Sequence, residues 1–305
     1  FKSKWFVFIL FIFDVIILRV IQFYFRYPSD LYQMQIFNPA SFASSDLLPS
    51  LGDFLINSLI VLQIAFLAFK HSASWIKLPM KNGLKSISIS ILIMVIIILF
   101  FHALESLISG LILNSSISFR FENILSLPHI SHVGLIIIAV LLVTFLFLLE
   151  LSGRLFIISK ASRIIFTASA TFGVTAYGVI SYFSGQFDLF LILFLLTLFV
   201  ILYFQIGIKF SPKLRLGRIF STVIVLSALS TYLVIKSENI REKEKRVLLA
   251  THLAHSRDNL AEYYFGDASE SIRQDTVVKA FVAENLTESS MSALSYYIMD
   301  NYFSG

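Results

Sequence analysis

The sequence predicts an all-α, polytopic transmembrane helix bundle of about seven spans, followed by the start of an extracytoplasmic, mainly helical segment. Of 305 residues, 57% are hydrophobic and only 14% are charged, against roughly 25% charged in a soluble domain. The apolar residues form seven blocks, each close to the ~20 residues with which a helix crosses a ~30 Å hydrocarbon core. Only helices satisfy their backbone groups in such segments. The predicted spans are residues 5–25, 54–69, 86–104, 133–151, 164–183, 187–208 and 219–235.

This composition excludes several classes of protein. Mean hydropathy is +0.83, which excludes a soluble enzyme and a nucleic-acid-binding domain. The net charge of +5 arises from basic residues in membrane loops. A disulfide-stabilised scaffold is excluded because the sequence contains no cysteine. We therefore expect the lipid bilayer, and no nucleic acid, as a partner. The sequence opens with Phe1 and not with methionine, and we expect it to be part of a longer protein.

The loops between the spans carry positive charge unevenly. One side has only Arg26 and Arg120, and the other has thirteen basic residues. Because Lys and Arg mark the cytoplasmic side, we expect the N-terminus in the cytoplasm. Seven crossings then place residues 236–305 outside the cytoplasm. The thirteen basic residues are Lys2, Lys4, Lys70, Lys77, Lys81, Lys85, Arg154, Lys160, Arg163, Lys209, Lys213, Arg215 and Arg218.

Residues 236–305 differ in composition from the spans and define a second domain. They contain eight Lys or Arg and eleven Asp or Glu in 70 residues. We therefore divide the chain into a seven-helix transmembrane region, 1–235, and a juxtamembrane helix with the beginning of a truncated, water-exposed domain, 236–305. Asp267 with Glu270, and Asn285 with Glu288, have the spacing of a capping box. Each pair is predicted to begin a helix.

Two ionisable residues lie inside the first span. Asp14 and Arg19 are candidate functional residues, because charges within a membrane are costly and mark functional sites by default. Arg19 is near the end of the span, where its side chain can extend toward the headgroups. Asp14 is deeper. Five residues apart on one helix, the two side chains point about 140° away from each other. A structural contact between Asp14 and another helix is favoured over a proton or ion site.

The fifth span and two long loops offer alternative interpretations. The fifth span is rich in small residues, which allow helices to approach closely; it is either a central packed helix or the wall of a substrate path. Loops 27–53 and 105–132 are long and apolar. They are predicted to form a packed cap over the bundle, with a ligand mouth as the alternative. The small residues are Ala168, Ala170, Gly173, Ala176 and Gly178.

Two pairs of histidines have a spacing that metal sites use. His129 lies three residues before His132, and His252 three residues before His255. A zinc site needs a third and usually a fourth ligand, and the sequence has no cysteine to supply one. We predict no metal ligand, no catalytic residue and no bound cofactor within these 305 residues.

Four stretches together resemble the N-terminal half of multi-pass sensor histidine kinases of the Bacteroidetes type. They are SSDLLPSLGDFL at 44–55, GLILNSSISF at 110–119, RVLLATHLAHSRDNLAEYYF at 246–265 and YIMDNYFSG at 297–305. The resemblance implies a membrane region, an extracytoplasmic sensor domain, one further span and a kinase core. It also implies a homodimer, a cognate response regulator and ATP as the cofactor of the parent protein. No phospho-acceptor or ATP-binding motif of the family lies within this sequence.

The sequence thus favours the membrane-embedded input region of a two-component sensor histidine kinase. The parent chain is then an ATP-dependent protein-histidine kinase, whereas these 305 residues hold no catalytic domain. The main alternative is a polytopic small-molecule transporter or permease, with its substrate passing near Asp14 and the fifth span. A membrane scaffold without a ligand is a third interpretation. The sequence names neither the stimulus nor the part of the chain that detects it.

Overall fold

The protein is mainly helical in the part of the chain that the computed structural model describes. That part comprises residues 2–75, 83–115, 117, 119, 128–159, 163–183, 185, 187–207, 212–255, 259–283 and 288–303. The helices are α1 Lys2–Phe25, α2 Ser29–Tyr32, α3 Leu51–Trp75, α4 Gly83–Leu113, α5 His129–Ser159, α6 Arg163–Phe183, α7 Leu189–Gly207, α8 Pro212–His255, α9 Asn259–Gln274, α10 Thr276–Ala283 and α11 Glu288–Tyr302. Within these residues there is no β-strand, and the predicted all-α polytopic bundle is confirmed.

Each of the seven predicted spans falls on one apolar helix. Six helices are long and apolar enough to cross a membrane, and α7 carries a shorter apolar stretch, Leu189–Phe204. The chain is therefore a multi-pass membrane protein. The six long stretches are Phe6–Phe25, Leu51–Ser72, Ile87–Leu113, His129–Ile157, Arg163–Phe183 and Ile219–His252.

The chain divides into two compact units, Phe1–Arg241 and Glu242–Gly305. In the first unit, α5 packs against α3, α4 and α7, and α6 packs against α4 and α7. Large apolar side chains such as Leu99, Phe172 and Phe204 remain exposed on the outside of these helices, as expected of surfaces that face lipid.

Small residues set the closest approaches between helices. A Cβ atom added to Gly173 of α6 would lie 2.6 Å from Cδ1 of Ile98 on α4. No side chain larger than hydrogen fits there unless Ile98 moves. Because lipid tails are as apolar as Ile or Leu, helices in a membrane associate through such close packing and not through the hydrophobic effect. This contact places the small-residue helix α6 directly against α4.

Loop 27–53 packs onto the bundle, as predicted. It contains α2 and a 3₁₀ turn, Gln35–Phe37. Phe37 and Phe42 are both buried. The ring of Phe37 lies where a side chain on Gly52 would be, 2.6 Å from an added Cβ, and the ring of Phe42 stacks on Phe54 with centroids 5.6 Å apart. The loop therefore packs against the start of α3.

Loop 105–132 is shorter than predicted. The sequence interpretation ends the third span at residue 104, but α4 continues as one helix to Leu113. Leu104, Ile108, Leu111 and Ile112 are all buried, with the spacing of one helix face. This apolar face extends the helix past the acidic residue at which the loop was predicted to begin. Much of the remaining loop lies outside the described residues.

The second unit contains α9, α10 and α11, which contact one another. The predicted helix start at Asp267 and Glu270 is wrong, because both residues lie within α9. Asp275 instead caps α10: its Oδ1 accepts a hydrogen bond from the Val277 N–H at 2.7 Å. The predicted start at Asn285 lies outside the described residues, and α11 begins at Glu288.

Candidate functional site

Arg19, one of the two charged residues predicted as functional, is held by α3. Its guanidinium forms an ion pair with Asp53 at 2.8 Å and donates a hydrogen bond to Oδ1 of Asn57 at 2.6 Å. The side chains of Arg19 and Asp53 are only 11% and 3% exposed. Ser50 completes the network by donating to the other oxygen of Asp53 at 2.6 Å. Arg19 therefore attaches α1 to α3.

Asp14, the other predicted residue, lies exposed on α1. Among the described residues it has no hydrogen-bonding or ion-pair partner. The structural contact that was favoured for it is therefore not made within the described part of this chain. Asp14 and Arg19 are not brought together.

A groove between α4 and α6 is the feature with the clearest capacity to bind a ligand. It encloses about 350 Å³, within the range of roughly 300–1,000 Å³ that is usual for small-molecule sites. Its walls are mainly apolar, and its lining includes three ionisable side chains, His102, Glu105 and Tyr177, and two serines, Ser169 and Ser181. The principal apolar walls are Ile91, Val95, Leu99, Phe172, Ala176 and Ile180.

The three ionisable residues of the groove interact with one another. The Tyr177 hydroxyl donates a hydrogen bond to Oε2 of Glu105 at 3.0 Å, and Nδ1 of His102 lies 3.6 Å from the same oxygen. The Glu105 side chain is 18% exposed and that of His102 is 57% exposed. The acid is therefore largely withdrawn from the surface, but it can still be reached from the groove.

Sequence reasoning missed this site because it assigned Glu105 to a loop. The structure places Glu105 on α4, inside the apolar stretch Ile87–Leu113. The spacing of His102 and Glu105, three residues apart on a helix, could have signalled a shared face. The small residues of the fifth span were correctly singled out from the sequence, since Gly173 and Ala176 line the groove. Their partner surface on α4 was not predicted.

A second acidic residue of the bundle was also not singled out. Glu150 lies on α5, within the apolar stretch His129–Ile157, and its side chain is buried. It does not line the groove. Like Glu105, it shows that sequence reasoning underestimated the ionisable groups inside the bundle.

Arg241 of α8 forms a cluster of contacts with the end of α4, which we call the Arg241 clamp. Its Nη1 donates to the carbonyl oxygens of Ile112 at 3.1 Å and Ser115 at 3.3 Å, and to that of Ile117. Its Nη2 contacts both carboxylate oxygens of Glu238 at 2.6 Å. Arg241 is only 7% exposed. The clamp joins the last helix of the first unit to the same helix, α4, that carries Glu105.

Asp188 forms a second contact to α8. Its Oδ2 accepts hydrogen bonds from Lys236 Nζ and from the Tyr232 hydroxyl, both at 2.6 Å. Its Oδ1 accepts from the Phe190 N–H at 3.0 Å, at the start of α7. Burial raises the pKa of Asp188, but the hydrogen bonds from Lys236 and Tyr232 outweigh it and hold the pKa below its usual range. Asp188 is therefore a carboxylate at neutral pH, and it connects α7 to α8.

Histidines do not assemble into a metal site among the described residues. No group of three or more His, Asp or Glu side chains there could hold a metal ion. The rings of His129 and His132 lie 6.5 Å apart.

Comparisons with known protein families, with curated proteins and with solved structures found no match.

Proposed function

We propose that this chain is the membrane-embedded input region of a two-component sensor histidine kinase. The observation that carries the proposal is α8, which runs unbroken for 44 residues. It begins as the last apolar span, continues through the Arg241 clamp and ends in the second unit. A helix that is fixed to the bundle and extends beyond it can carry a displacement of the bundle to a distant domain.

The proposal includes an orientation and partners that follow from the charge asymmetry and the resemblance. The N-terminus is cytoplasmic, the spans lie in a bacterial inner membrane, and residues 236–305 are periplasmic. The parent protein is a homodimer that uses ATP in its kinase core and phosphorylates a cognate response regulator. These 305 residues supply the sensor and not the catalytic domain.

The mechanism requires two arrangements of α8 with different affinities for the stimulus. In one arrangement, the Arg241 clamp holds α8 against the end of α4. In the other, some of its hydrogen bonds are exchanged for water. A coupling free energy of about 3 kcal/mol changes the ratio of the two arrangements about 150-fold. A stimulus that moves α4 acts directly on the Ile112 carbonyl group that binds Arg241, and through the end of the helix on the carbonyl groups of Ser115 and Ile117.

A small-molecule transporter or permease is the second candidate, and one observation favours it. Ionisable residues within a membrane often mark a transport path, and Glu105 lies in a groove beside the small-residue helix α6. Against this candidate, the sequence shows neither an internal repeat nor paired broken helices, which many transporters have.

The test uses the full parent protein in lipid nanodiscs with radiolabelled ATP. We expect phosphate on a histidine beyond residue 305 and none on the 305-residue chain alone. Arg241→Met should change the extent of labelling, and Arg246→Met, on the same helix but exposed, should not. A parent protein that takes up no phosphate contradicts the proposal. Solute flux into vesicles that is lost in Glu105→Gln would favour the transporter.

A further inference from the structure

We propose that the groove between α4 and α6 binds a single-chain amphiphile with a cationic, hydrogen-bond-donating headgroup, such as a long-chain primary amine. The headgroup contacts Glu105, and the hydrocarbon chain lies along the apolar walls of α4 and α6. The proposal concerns binding alone and does not depend on a kinase core. If this proposal and the proposed sensor function are both correct, the amphiphile is the class of stimulus that the sensor detects.

The first argument is the unsatisfied acceptor capacity of Glu105. Its Oε2 accepts the hydrogen bond from Tyr177 and faces His102. Within the described residues, its Oε1 accepts no hydrogen bond. A carboxylate oxygen without a partner is costly in a membrane. An ammonium group in the groove would supply both the missing donor and the opposite charge, which together make the strongest class of hydrogen bond.

The second argument is the charge of the lining. Neither Lys nor Arg is among the groove residues; His102, Glu105 and Tyr177 are the ionisable ones. The lining thus contains one acid, Glu105, and no permanently cationic side chain. It is therefore complementary to a cation, and it disfavours a fatty acid or another anionic lipid, whose headgroup would meet the carboxylate of Glu105.

The third argument is the shape of the groove and its access to lipid. From Glu105 to Ile91 the wall of α4 extends over fourteen residues, which is roughly 21 Å at ~1.5 Å per residue. The walls along it are apolar, and Ile91, Leu99 and Phe172 are also exposed on the outside of the bundle. A chain can therefore enter sideways from the bilayer. Its headgroup stays at the end of the groove nearer the C-terminus of α4.

The experiment uses a dodecylamine with a diazirine in its chain, added to the purified protein in nanodiscs of zwitterionic lipid. Irradiation should crosslink it to peptides of α4 and α6, and excess unlabelled dodecylamine should compete. Glu105→Gln should lower the competable crosslinking about tenfold or more, since charge-assisted hydrogen bonds are the strong ones. The diazirine analogue of dodecanoic acid should give no competable labelling of the groove.

Two further variants separate occupancy from folding. Ala176→Phe fills the groove and should abolish competable labelling. Val179→Phe is the matched control, because Val179 is exposed on the same helix and does not line the groove; it should label like the wild type. Size-exclusion chromatography checks that each variant is folded, and Ala176→Phe decides the outcome if Glu105→Gln does not fold.

Labelling that is equal for the amine and the acid, or unchanged in Glu105→Gln, overturns the proposal. In that case the groove holds lipid tails without selectivity. If labelling is as expected but the parent protein shows no kinase activity, the binding proposal stands and the proposed function is rejected. The two failures are therefore distinguishable.

Discussion

Replacing Arg241 with methionine should strongly destabilise the first unit. The methionine keeps much of the side-chain volume but removes the three hydrogen bonds to carbonyl groups and the paired contact with Glu238. Glu238, whose side chain is 12% exposed, then keeps, among the described residues, one hydrogen bond, from the Phe119 N–H at 2.7 Å. Removing one partner of a buried ion pair costs about 3–5 kcal/mol, because the remaining charge is left uncompensated.

A matched control lies one turn further along α8. Arg246 pairs with Glu242 at 3.2 Å, but its side chain is 80% exposed. Such a pair on a helix surface contributes only about 0.3–0.5 kcal/mol. Arg246→Met should therefore lower the free energy of unfolding by roughly a tenth of the amount that Arg241→Met does.

The assay is thermal unfolding of both variants in the same detergent, followed by size-exclusion chromatography. Arg241→Met should lower the melting temperature far more than Arg246→Met. Adding Glu238→Gln to Arg241→Met should recover part of the loss, since the buried charge is then gone. Equal melting temperatures for the two single variants would refute the clamp. A double variant less stable than Arg241→Met would refute the argument from uncompensated charge.

Three further predictions use the same unfolding assay or a membrane fractionation. Arg19→Met should lower the free energy of unfolding by about 3–5 kcal/mol, because it removes the cation that pairs with the buried Asp53. Adding Asp53→Asn should restore part of the lost stability. An unchanged melting temperature in Arg19→Met would contradict the attachment of α1 to α3. The pKa of Asp188 is lowered in the folded protein, so its stabilising contact with Lys236 is complete at neutral pH and is lost as the pH falls below about 4; Asp188→Asn should flatten this part of the pH profile, and a profile identical to the wild type would disprove it. Asp14→Asn should insert normally and melt like the wild type, because Asp14 has no partner among the described residues; failure to reach the membrane fraction would show that the charge itself is needed.

The sequence was sufficient to predict the apolar helices because their signal is local. A block of ~20 apolar residues in a row identifies a span without knowledge of its neighbours. The packing of loop 27–53 was predicted from a similar local signal, the apolar composition of a long loop.

The site could not be predicted because it depends on contacts between distant segments. Glu105 and Tyr177 are 72 residues apart in the chain, and Arg241 lies 129 residues from Ile112. Hydropathy also ends a span at the first acidic residue, although a helix continues as long as its backbone bonds and its buried face persist. This is why Glu105 was assigned to a loop.

Capping was misplaced for a related reason. The spacing of Asp267 and Glu270 fits a capping box, but the same spacing also occurs inside a helix, where both side chains simply face water. Asp275 was overlooked, although its carboxylate caps α10 and also accepts hydrogen bonds from the hydroxyls of Tyr297 and Tyr302, at 3.1 and 2.8 Å. Those hydrogen bonds, led by the one from Tyr302, lower the pKa of Asp275.

The positive charges that follow the seventh span raise a conflict for the proposed orientation. Five basic residues lie between residues 236 and 246, where positive charge normally marks the cytoplasm. The structure pairs three of them with carboxylates: Lys236 with Asp188, Arg241 with Glu238 and Arg246 with Glu242. Because acids contribute little to orientation, this pairing does not remove the conflict, and the proposed orientation rests on the thirteen basic residues of the opposite side.

Reporter fusions in a bacterial host test this topology, and with it the proposed sensor, most directly. Alkaline phosphatase is active only outside the cytoplasm. Fused after Phe265 it should be active, and fused after Lys160 it should be inactive. Activity at residue 160 together with inactivity at residue 265 would invert the whole chain, and inactivity at both would place residues 236–305 in the cytoplasm and contradict an extracytoplasmic sensor domain.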